Sequence, residues 1–121
     1  MYNIHPADTY AHGGQGMYGL QVHGHVLQTV LDLIRRGKKC LEKDRFSTYP
    51  TVHEVTPRLD DGQPLLRGTV EIPRPILKRL HEEEITLTQA ATELREVVLP
   101  YEWQMLLVAV RMAARRLRES V

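Results

Sequence analysis

The segment from Trp103 to Met112 sets the terms for this chain. Trp103, Leu107, Val110, Ala114 and Leu117 step by four and three residues, an apolar stripe of the kind that seams two helices together. Met105, Val108 and Met112 fall on the opposite side of the same helical wheel. A helix over residues 101–118 is therefore apolar almost all round in its first turns, and such a helix is buried on several sides. A chain of 121 residues has little other material with which to bury it. The expectation is a last helix central to the fold. Its burial would be completed by a second copy or another protein through Trp103, Leu106, Leu107, Val110 and Met112.

The remaining pattern predicts an α+β fold, mostly helical. Residues 1–19 carry Gly13, Gly14, Gly16 and Gly19 and read as a flexible arm containing Gly and His, followed by a single α+β domain over 20–121. Residues 20–36 form an amphipathic helix with Leu20, Val22, Val26, Leu27, Val30, Leu31, Leu33 and Ile34 on one arc. Gly37 after two arginines marks its end. Gly24 weakens its first turns and moves the expected start toward His25. Thr51–Val55 and Leu65–Ile72 read as a β-hairpin around the Asp60-Asp61-Gly62-Gln63 turn, with Pro57 and Pro64 at strand ends. Three helices follow. Pro75 starts a short one over residues 75–84. Thr86-Leu87-Thr88-Gln89 opens the second with a capping box. Pro100 breaks that helix and starts the last.

Composition excludes several classes. At 42% apolar, 26% charged and a net charge of +1, the chain is not a disordered polymer, nor a protein built to coat nucleic acid. One cysteine gives no intrachain disulfide framework and suits a reducing compartment. No apolar run approaches the ~20 residues of a membrane span, so no membrane partner is expected. The N-terminus has neither a basic nor an apolar signal region, which places the expected location in the cytoplasm.

Few residues suggest chemistry. His23 and His25 have a His-x-His spacing that converges on a metal in a strand but diverges on a helix. They stand as the candidates for a histidine metal site, with His5 and His12 nearby in sequence. A single histidine on an apolar arc is more often a hydrogen-bonded core residue. Gly13-Gly14-Gln15-Gly16 lacks the phosphate-loop pattern. Cys40 lies near Lys38, Lys39 and Lys43 without a paired base. The carboxylates at Asp60-Asp61 and Glu82–Glu84 are explained by a turn and a polar helix end. No catalytic residue, no cofactor and no enzymatic activity are expected.

Thr86–Leu94, with its Thr start and paired alanines, resembles the first helix of a helix-turn-helix. The next helix then offers Trp103, Met105, Leu106 and Leu107 where polar base-reading side chains belong. Thr69-Val70-Glu71-Ile72-Pro73 followed by two helices is similar in order to a ribbon-helix-helix fold. Either resemblance implies DNA binding, with Arg111, Arg115 and Arg118 meeting phosphates.

The leading expectation is a small non-enzymatic interaction or regulatory protein that forms a homodimer or other homo-oligomer, or holds a protein partner. A DNA-binding regulator is the alternative. A histidine metal module is a third reading.

Overall fold

The computed structural model of the protein describes residues 2–5, 19–54 and 64–119. It is an α+β fold, mostly helical. Among the described residues the order is β1 (Tyr2–His5), α1 (Leu20–Arg35), β2 (Ser47–Thr48), β3 (Thr51–Glu54), β4 (Pro64–Arg67), β5 (Val70–Glu71), α2 (Arg74–His81) and α3 (Leu87–Glu119). The Gly13–Gly16 run, His12, Pro57 and the Asp60–Gln63 turn lie outside the described residues.

The start of the chain is not all loop. Tyr2–His5 pairs antiparallel with β3, Asn3 opposite His53 and His5 opposite Thr51. The hairpin strands pair as Thr51 with Arg67 and Val52 with Leu66, and the register slips between Val52 and His53, where Pro64 is the partner. A proline supplies no N–H to a ladder, so an irregularity there has a local cause. The second strand does not continue to Ile72. It breaks at Gly68-Thr69, and β5 pairs with β2 in a separate two-stranded sheet. Two backbone bonds fix the change of course, from Gly68 N–H to the Pro50 carbonyl at 2.8 Å and from Ile72 N–H to the Phe46 carbonyl at 2.7 Å.

Helix α1 begins at Leu20, ahead of Gly24. Val22 and His23 are buried in its first turns, and their packing offsets the intrinsic cost of the glycine. Its end follows the left-handed pattern. Gly37 has φ 71°, and the N–H groups of Gly37 and Lys38 return to the carbonyls of Ile34 and Leu33.

Helix α3 is the main departure from expectation. Two helices were expected around Pro100, but one helix runs through it for 33 residues, about 50 Å at the usual rise. The proline removes one backbone bond and crowds the carbonyl one turn back. Packing on both sides outweighs this local cost. Ala90, Ala91, Leu94 and Val98 are buried before it and Ala109 after it. The helix starts on a reciprocal capping box, Thr86 N–H to Gln89 Oε1 at 2.8 Å and Gln89 N–H to Thr86 Oγ1 at 3.1 Å.

The core joins α1, α2 and the first half of α3. Val22, Leu27, Leu77, Leu94 and Val98 are wholly enclosed there, with Val70 of β5 and the strand-flanking Phe46 and Ile72 also in this core. The second half of α3 leaves this core behind. That places a long, largely uncovered helix beside the strands.

Candidate functional site

Three regions of the described surface bring chemistry or shape together. The first is the outer half of α3. Tyr101, Met105 and Val108 turn toward the β4–β5 corner and, with Leu66–Val70, line a cleft of about 380 Å³. The approach is close at Gly68, where a Cβ would come 2.8 Å from Met105 Sδ. Across the helix, Trp103, Leu107, Val110 and Leu117 are 66%, 51%, 52% and 69% exposed. Leu106 is partly buried, and Met112 is exposed on the far side of the wheel. The helix expected to be enclosed thus has one flank on the strands and one uncovered stripe. Arg111, Arg115 and Arg118 are exposed along the stripe's edge.

The second region is the pair β1 and β3. Their register sets a carboxamide residue, Asn3, opposite an imidazole residue, His53, with His5 and Thr51 one pair further along. Thr51 is buried, and its hydroxyl donates to the Tyr49 carbonyl at 3.0 Å. Reading residues 1–19 as an arm hid this pairing. The signal present in the sequence was the brief alternation of Tyr2, Asn3, Ile4 and His5, too short to compete with the glycines that follow.

The third region is the loop between α1 and β2. Arg74 donates to the carbonyls of Glu42 at 2.7 Å and Asp44 at 3.3 Å. Cys40 Sγ donates to Glu42 Oε2 at 3.3 Å, and this bond leads the interactions that hold the Glu42 carboxyl below its usual range. Cys40, Glu42, Asp44 and His81 share a cleft of about 460 Å³. These contacts pin a loop. Among the described residues no group of three His, Cys, Asp or Glu is placed to hold a metal ion.

The two metal candidates part company on α1. His23 is buried in the core, while His25 is exposed at a cleft with Leu20, Gln28 and Thr88. The helical spacing sends them in different directions.

No family model and no solved structure matches the chain. A curated protein does. The chain is 36% identical over 87 residues to the chloroplastic phosphoribosylglycinamide formyltransferase of Arabidopsis thaliana, which covers 67% of this chain. The chain spans about 25% of that relative's length. The relative is an enzyme, and this overturns the expectation of a non-enzymatic interaction or regulatory protein. The DNA-binding and histidine-metal alternatives fall with it. Sequence patterning had pointed elsewhere because the apolar stripe is conspicuous and the chemistry-bearing residues are not grouped in sequence.

Proposed function

We propose that this chain supplies part of a formyl-transfer enzyme whose acceptor is an amine of the phosphoribosylglycinamide type. The observation that carries this reading is the 36% identity over 87 residues to a phosphoribosylglycinamide formyltransferase. The proposal concerns a part, because the chain spans a quarter of that relative.

Formyl transfer to an amine has simple demands. The amine nitrogen attacks the formyl carbon, the carbonyl oxygen becomes an oxyanion, and a proton leaves the nitrogen before the donor departs. Catalysis needs a hydrogen-bond donor for the oxyanion and a group near neutral pKa for the proton. Asparagine and histidine are residue types that serve these roles, and β1 and β3 set Asn3 opposite His53 with His5 nearby. That strand pair is the part of the described chain whose residue types best suit the reaction.

The test is an assay for the formylated product by mass spectrometry. Phosphoribosylglycinamide and activated formyl donors are incubated with the chain, alone and combined with the portion of the Arabidopsis relative outside the match. The expected result is a product carrying one added formyl group, with the rate reduced ~100-fold or more by Asn3→Ala or His53→Ala. Absence of product under both conditions overturns the proposal.

A further inference from the structure

The open face of α3 runs the length of the helix. Gln89, Thr92, Glu96 and Pro100 continue the line of Trp103, Leu107, Val110, Ala114 and Leu117 toward its N-terminal end, in steps of three or four, and every one of these side chains is exposed. The core and the strands take other sides of the helix. Ala90, Ala91, Leu94 and Val98 hold its first half, and Met105 lies against the β4–β5 corner. The line is therefore a fixed surface. Its outer part, Trp103 to Leu117, is apolar and about 21 Å long. Steps of four and three are the spacing at which one helix packs lengthwise along another.

The order of side chains along the stripe makes it complementary to itself. Lay a second copy antiparallel, with Leu107 and Val110 of one chain facing Val110 and Leu107 of the other across a two-fold axis. That register sets Trp103 over Ala114 of the second copy and Pro100 over its Leu117. The largest side chain of the stripe then meets the smallest, so facing positions interdigitate with neither clash nor void. A parallel pair in register stacks Trp103 on Trp103 and Ala114 on Ala114, which crowds one layer and leaves another empty.

Charge selects the same orientation. From Trp103 to Arg118 every charged residue is an arginine, and Arg111, Arg115, Arg116 and Arg118 are all exposed. A parallel pair gathers both sets of arginines at one end, where they repel. The antiparallel pair sends them to opposite ends. On one flank it brings Gln104 beside Arg111 of the second copy and puts Arg118 within a turn of its Glu96, an exposed carboxylate on the same line. On the other flank Leu106 comes beside Ala113, and both are only partly covered in the isolated chain. The two helix dipoles also oppose, which adds to the attraction.

We propose that α3 is the seat for α3 of a second copy, paired antiparallel through Trp103, Leu107, Val110, Ala114 and Leu117 in one closed, isologous contact. The chemistry of the docking surface is known because it is this surface. The proposal does not depend on the formyl-transfer reading, and neither stands or falls with the other. A seam of this length is short, so the pair forms as concentration rises.

The test uses the full chain alone, by sedimentation equilibrium from ~0.1 to ~200 µM, with Trp103 emission followed over the same range. The expected mass rises from 13.9 kDa to twice that value. Trp103 is the chain's single tryptophan, so its emission should shift to the blue as the pair forms. Leu107→Asp, which sets two carboxylates near the axis, should weaken pairing more than ~10-fold. Glu96→Arg and Arg118→Glu should each weaken it about 3-fold at low salt, and the two together should restore it. These side chains are exposed, and an unchanged melting curve in dilute solution checks that each variant folds. If Leu107→Asp misfolds, the charge exchange still decides. The proposal is overturned by a chain that stays single at the highest concentration, whether or not it binds phosphatidylserine vesicles. An assembly larger than two overturns it, as does doubling without a Trp103 shift or indifference to Leu107→Asp. Failure of the combined charge exchange to restore what its single members lose overturns the antiparallel pairing.

Discussion

Arg79 donates a 2.5 Å hydrogen bond to Glu93, tying α2 to α3. The bond to Glu93 raises the Arg79 pKa, so the cation persists throughout the working pH range. Both side chains are more than a third exposed, and water and salt screen much of their attraction. Arg79→Met is expected to lower the melting temperature by about 3 °C in dilute buffer, with the difference shrinking in ~1 M salt. Thermal melts at the two salt concentrations check this. A salt-independent loss would assign the effect to packing of the arginine stem.

Short α2 also ends in an uncommon way. Glu83 has φ 60°, and the N–H groups of Glu83 and Glu84 return to the carbonyls of Leu80 and Arg79 at 3.1 and 2.8 Å. This is the left-handed cap that glycine usually fills, and a side chain there costs about 1 kcal/mol. Glu83→Gly is expected to stabilise the fold by about 0.5–1 kcal/mol in urea denaturation. The substitution also removes a 4.0 Å approach to Arg35, which between exposed groups contributes little. A destabilised variant would mean the ion pair outweighs the strain.

Local chemistry was the legible part of this sequence. The Thr86–Gln89 capping box and the Gly37 cap were readable because both depend on neighbours in sequence. The passage of α3 through Pro100 was not readable, since it depends on packing by residues on both sides of the proline. The break at Gly68 was hidden for the same reason: β5 leaves β4 to pair with Ser47-Thr48, a partner some twenty residues away. The stripe itself was visible, but its meaning was not. Exposed apolar area is silent on chemistry. Asn3 and His53 are brought together by strand register across fifty positions, and no spacing rule finds such a pair.

The two halves of α3 should respond oppositely to the same change. Leu94 is fully enclosed between α1, α2 and α3, whereas Leu117 is 69% exposed. Leu94→Ala is expected to cost about 3 kcal/mol, the usual price of a buried leucine and its cavity. Leu117→Ala should stay within about 0.5 kcal/mol for the isolated chain. Urea denaturation of both variants tests the division of the helix into an anchored half and an uncovered half. A large loss at Leu117 would show that the isolated chain already covers the stripe.

Glu102 gives the fold a pH dependence with a defined sign. Burial raises its pKa above the ordinary carboxylate value, and the Arg95 cation offsets part of the rise. The folded protein therefore keeps this proton at pH values where the unfolded chain has released it. Between the unfolded and folded values the native state binds more protons, so stability falls as pH rises through that window. Above the folded value the carboxylate is charged in both states and the whole penalty is present. Below the unfolded value it is protonated in both states and the penalty is gone. Glu102→Gln should therefore raise the melting temperature by about 2 °C on the alkaline side of that window and leave it unchanged near pH ~3. Arg95→Gln should act the other way, removing the offsetting cation and deepening the loss on the alkaline side of the window. Melting curves across this range decide the matter. An equal shift of Glu102→Gln at both extremes would trace its effect to shape and not to charge.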